Sequence, residues 1–143
     1  MPSKRLWIIP VTQVFDDLDA SPLQRREPVE LVLGHIEEAL DEDDVSTQKA
    51  AFLVTALVHA PDMLEPVRRY YRELLDPLRS ERGDMHEVRH ALLAVEGIFL
   101  LRGLGFVEVS ANEQKSVLRH ARDIVVAVLA KRRARVRHAS RPK

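Results

Sequence analysis

At 143 residues the chain fits one domain around one core and leaves little room for a second. Its 22 Lys and Arg equal its 22 Asp and Glu, which excludes a general polyanion binder; yet residues 131–143 (KRRARVRHASRPK) hold seven cations and no acid, so the 22 acids of residues 1–130 face only 15 cations. The absence of cysteine excludes disulfides, thiol chemistry and Cys-ligated zinc and fits a reducing cytoplasm, and no apolar run approaches the roughly 20 residues of a membrane span.

Five glycines and 5% aromatic residues, among many Leu, Ala, Val, Arg and Glu, point to an all-α domain. Caps and breakers mark six helices, near 4–19, 22–40, 47–60, 63–81, 85–103 and 111–132. The first stretch opens MPSKRLWIIPV, too short an apolar run for a signal peptide, so a cytoplasmic location is expected. Ser21, Pro22 and Gln24 form the second start, with Ser as cap and Gln reaching back to it. Pro10, Pro28 and Pro77 fall within three of the helices and should kink or split them. Asp41 to Asp44 lack the spacing and glycine of a calcium loop and read as a hydrated turn.

On the 47–60 helix, Gln48, Phe52, Thr55 and His59 share one azimuth, since offsets of 4, 7 and 11 residues return to nearly the same direction. This stripe reads either as the polar lining of a ligand cavity or as internally hydrogen-bonded core. Asp62 with Glu65 marks the next start, and Tyr70 and Tyr71 join Val67, Leu74 and Leu78 on the apolar side of the 63–81 helix, where one hydroxyl can reach a cavity.

Asp84 with Glu87 opens the fifth helix, which Gly103 and Gly105 close. Its start contains His86-Glu87-Val88-Arg89-His90, an H-E-x-x-H pattern in which two His bind zinc and Glu activates water. The match overlaps a helix start, carries Arg89 in the middle and lacks a third ligand, so a zinc hydrolase is only the last alternative. Along ALLAVEGIFLL, Glu96 has Leu92, Leu93, Phe99 and Leu100 at three and four residues' distance. It needs Arg, His or Tyr from a facing helix, or a ligand.

Ser110 with Glu113 opens the last helix, whose Val117, Leu118, Ala121, Ile124, Val125, Val128 and Leu129 are apolar over more than one face. Residues 131–143 then read as a basic, disordered tail attached to a domain spanning 1–130, solvated or held by phosphates. No phosphate loop, nucleophile elbow or dinucleotide fingerprint is present, and neither an enzyme nor a cofactor is expected.

The stretch with ALVHAPDMLEPVRRYYRELL and VRHALLAVEGIFLLRGLGF resembles the regulatory half of the TetR family of bacterial repressors. Ser3, Lys4 and Leu6 resemble that family's passage from the DNA-reading module into its connecting helix. The resemblance implies a ligand-binding and dimerisation domain without its helix-turn-helix, and hence no sequence-specific DNA binding by this chain alone. An alternative is a headless protein that forms heterodimers with intact repressors and inhibits them. For a small apolar ligand, the expected lining is Phe52, Thr55, His59, Tyr70, Tyr71, Glu96 and Phe99. The last two helices, apolar on more faces than one small core can cover, should form a four-helix bundle with their copies in a homodimer. The expected seam is Ala94, Gly97, Leu101, Ala121, Ile124, Val125 and Val128. Glycine and alanine, including Gly103 and Ala127, would allow close packing there.

Overall fold

The computed structural model describes residues 27–80 and 82–142. These form α1 (Pro28–Asp41), α2 (Asp44–Val58), α3 (Pro61–Leu75) with a closing 3-10 turn (Asp76–Leu78), α4 (Asp84–Gly103) and α5 (Ala111–Ala139), with no strand among the described residues. The expected 4–19 helix, the Ser21 cap, Pro10 and the Ser3-Lys4-Leu6 passage lie outside the described residues.

Local chemistry explains the boundaries. Glu27 is extended, so Pro28 stands at the first helical position of α1, where its missing N–H costs nothing, and it starts a helix rather than kinking one. Asp43 caps α2 by accepting from the Ser46 amide (2.8 Å), so the acidic turn contains a helix start. Pro61, not Asp62, opens α3. Pro77 ends that helix and tightens the chain into the 3-10 turn. Gly83 and Gly105, at φ 82° and 73°, supply the turns before and after α4. Ser110 caps α5 as its spacing to Glu113 predicts, accepting from the Glu113 amide at 3.1 Å.

The core is one layer of α1 and α4 packed with α5 and closed by the end of α3. Val29, Val32 and Ile36 of α1 meet Val88, Leu92 and Val95 of α4 and Leu118, Val125 and Val128 of α5, with Leu74 and Leu78 beside them. A smaller cluster of Ala50, Ala51 and Phe99 holds α2 against the C-terminal half of α4. There the helices approach so closely that a Cβ at Gly103 would lie 2.0 Å from Cβ of Ala51. Gly103 therefore serves contact within the chain rather than between copies.

Polar ties fix the same helices. The Arg102 guanidinium forks onto the Asp44 carboxylate at the start of α2, and it also donates to Gln114 Oε1 (3.0 Å) and to the Val109 carbonyl (2.7 Å). One side chain thus joins α2, α4, the loop and α5. The Arg102 hydrogen bonds hold the Asp44 carboxyl below its ordinary value against the opposing effect of burial. Lys115 Nζ donates to the Leu40 carbonyl (2.8 Å), satisfying an acceptor at the end of α1.

The sequence 131–139 corrects the expectation of a disordered tail, because α5 continues through Ala139. Acids in the first turns of other helices meet its cations. Arg132 pairs with Glu27, Arg133 with Glu30 (3.1 Å), and Lys131 and Arg135 with Asp84. Arg, Lys and Ala are strong helix formers, and these pairs offset the repulsion that a charge count along the chain alone would predict.

Candidate functional site

The interior polar site grows from four side chains on three helices. α1 runs its apolar stripe through Val32, Ile36 and Ala39, and His35 lies at the edge of that stripe, with Leu31 and Ala39 one turn away on either side. α3 presents Tyr70 and Tyr71, and α4 presents Glu96 one residue beyond the buried Val95. His35 Nε2–H donates to Glu96 Oε1, and the Tyr71 hydroxyl donates to Glu96 Oε2 (2.7 Å). With His35 protonated on Nε2 and neutral, the Tyr70 hydroxyl donates to its Nδ1 at 2.7 Å. The result is a chain running Tyr70, His35, Glu96, Tyr71, with the tyrosine rings edge to face at 5.3 Å. The His35 and Glu96 side chains are only 8% and 14% exposed.

Burial pushes both phenols well above their ordinary value, and the nearby Glu96 charge adds to the effect. Each tyrosine therefore stays a protonated donor. The carboxylate is met by donors from two facing helices, which is the paired outcome expected for Glu96, with His and Tyr as the partners. His35 itself escaped the sequence reading. The test applied to Glu96 does not single it out, because beside Leu31, Val32 and Ala39 it has Glu38 three residues on, a possible partner on its own helix.

The structure corrects the rest of the expected lining. Phe52 is 74% exposed and His59 is exposed, so neither points inward. The azimuth argument fails at His59 because α2 stops at Val58, and His59 is its cap, with its N–H turned back to the Ala56 and Leu57 carbonyls. Thr55 is half-buried and spends its hydroxyl on the Phe52 carbonyl (2.5 Å). Phe99 is buried, but it packs on Ala50 and Ala51 rather than beside Phe52. The only one of these faces of α2 that is buried carries Ala50, Ala51 and Leu57.

The expected pairing face divides in the same way. On α5, Ala121, Val125 and Val128 are 2%, 0% and 1% exposed and belong to the domain's own core, which corrects their assignment to a seam. They sit on the stripe with Leu118 and Leu129 that packs on α1 and α4, whereas Ile124, turned about 100° from Val125, is half-buried at the edge of that core and lines the groove. On α4, Ala94 and Leu101 are exposed and Gly97 is half-buried, on the side away from Val88, Leu92, Val95 and Phe99. An open groove between the two helices is lined by Glu87, His90, Ala94, Val117, His120 and Ile124, with Ala91 and Ala121 at its floor.

The His86 and His90 rings lie with centroids 4.0 Å apart, tilted by 43°. Among the described residues no three His, Asp or Glu side chains converge on one point, so the three protein ligands of a catalytic zinc are not assembled there. No single described helix is long and apolar enough to cross a membrane.

The described residues form an all-helical domain in which α4 packs against α1, α2 and α5. Residues 30–125 match the family described as Tetracyclin repressor-like, C-terminal domain, and the chain belongs to that family. It is thus a regulatory domain of the TetR type, of a family that is not enzymatic. No curated protein and no solved structure matches the chain.

Proposed function

We propose that this domain pairs with a second copy through α4 and α5 and senses a small, largely apolar ligand for a TetR-like regulator in the cytoplasm, with no sequence-specific DNA binding of its own. The observation that carries the pairing is the outward stripe of Ala94, Gly97 and Leu101 beside Ile124, which remains accessible after Val125 and Val128 have filled the core. Small residues there let two helices approach, and two helices from each copy make a four-helix bundle. A twofold axis brings each residue of the seam near its own copy, so one introduced charge enters twice.

The test is mass in solution by light scattering. Wild type should be dimeric at micromolar concentration, and Ala94→Glu or Ile124→Glu should give folded monomers. A monomeric wild type overturns the reading.

Ligand sensing rests on family membership together with the chain of Tyr70, His35, Glu96 and Tyr71, the placed polar groups that α1, α3 and α4 bring together. A ligand entering between these helices would take over one of those bonds, most simply the one made by Tyr71. Ligands found by thermal shift with the wild type should shift Tyr71→Phe less, because stabilisation follows RT ln(1 + [L]/Kd).

A further inference from the structure

The two histidines at the start of α4 have a feature that neither the pairing nor the sensing role uses. His86 Nδ1 lies 3.1 Å from the Ser80 carbonyl oxygen, and His90 Nδ1 lies 2.8 Å from the His86 carbonyl oxygen. A carbonyl oxygen only accepts, so in each ring Nδ1 carries the proton and donates it. Each neutral imidazole then has its lone pair on Nε2. A backbone carbonyl that fixes the tautomer in this way is the usual support of a metal-binding imidazole. The two residues are four apart on one helix, which places them on the same face, and their rings lie 4.0 Å apart. His90 is exposed and lines the α4–α5 groove together with Glu87 and His120.

We propose that His86 and His90 form a two-nitrogen chelating site for a transition-metal dication of the zinc or nickel type, on the rim of that groove. Imidazole suits these ions, whereas magnesium and calcium require oxygen ligands in greater number. No three ligating side chains converge among the described residues, so water completes the coordination sphere. The site does not depend on the domain being a dimer, since both ligands come from one helix of one chain.

Zinc chloride is titrated into the full chain by calorimetry at neutral pH. One site per chain is expected, and His90→Ala and His86→Ala should each weaken it by roughly tenfold or more, since even the supporting partners of a ligand are worth 10–100-fold. His138→Ala, an exposed histidine at the far end of α5, should leave it unchanged, and magnesium chloride should give no binding. Both histidine variants should keep the helical circular dichroism of wild type, as His90 is exposed and His86 is half-buried at the helix start. Absence of zinc binding, or undiminished binding by His90→Ala, overturns the proposal.

Discussion

Replacing Glu96 by Ala tests whether the interior chain of hydrogen bonds is the structural unit described above. The substitution removes the acceptor of two donors, His35 Nε2–H and the Tyr71 hydroxyl, in a region where His35 is 8% and Glu96 14% exposed. Each buried donor left without a partner costs about 1–3 kcal/mol. Against this stands the removal of a carboxylate that was itself costly to bury. A net loss of about 2–4 kcal/mol is expected, a large share of the 5–15 kcal/mol typical of a domain. Urea denaturation followed by circular dichroism measures it, with an unchanged slope as the check that the unfolded state is the same. Tyr71→Phe sharpens the test. In the native background it removes a hydrogen bond to a charged acceptor and should cost about 1.5–3 kcal/mol. In the Glu96→Ala background it removes an orphaned hydroxyl and should be close to neutral. The double-mutant cycle should therefore show coupling of about 1–3 kcal/mol. Additive losses, or a Glu96→Ala variant as stable as wild type, would refute the account.

Gly103→Ala should destabilise by about 1–3 kcal/mol, the usual cost of overpacking, because its Cβ would stand 2.0 Å from that of Ala51; thermal and urea melts read this directly. Val125→Glu and Ile124→Glu, one residue apart, should part company: the first places an unpaired charge at a 0% exposed position and abolishes cooperative folding, while the second leaves the circular dichroism of the fold intact. Asp44, whose folded-state carboxyl value is depressed by Arg102, contributes stability above the unfolded value of about 3.9 that is lost as pH falls through the lower folded value. Asp44→Asn should flatten that acid limb in urea midpoints measured across the acid range. Binding to duplex DNA, followed by fluorescence anisotropy, should be weak, indifferent to sequence and steeply reduced by salt, and a footprint on a defined operator at physiological salt would contradict this.

What the sequence made legible follows the range of each signal. Ser110 and Glu113 need only each other to start α5, and Gly105 needs only positive φ, so these boundaries can be read locally. Glu96 was legible as a residue in need of a partner, because its apolar neighbours on α4 are fixed by helical spacing. The identity of the partner was not, since His35 and Tyr71 are 61 and 25 residues away and meet it only through packing. The extension of α5 to Ala139 was hidden for the same reason. Its cations look mutually repulsive until Glu27, Glu30 and Asp84 are brought to them by the ends of other helices.

The misreading of Val125 and Val128 shows what an all-round apolar helix does and does not reveal. Such a helix has more apolar surface than one neighbour covers, so its composition counts partners. It does not say which face meets which partner, because the stripes through Val117 and Ile124 and through Leu118 and Val125 are equally apolar as written. The choice is made by volume. α1 and α4 must both be covered, and the larger continuous stripe of Leu118, Val125, Val128 and Leu129 fills the space between them. Ile124 and Val117 then turn toward the groove, on the same side as Ala94. On α4, Ala91, Leu92, Val95 and Phe99 go inward, and the face with Ala94, Gly97 and Leu101 is left outside. Ala94 and Gly97 allow another helix to approach closely, which is why the proposed seam is placed on this face.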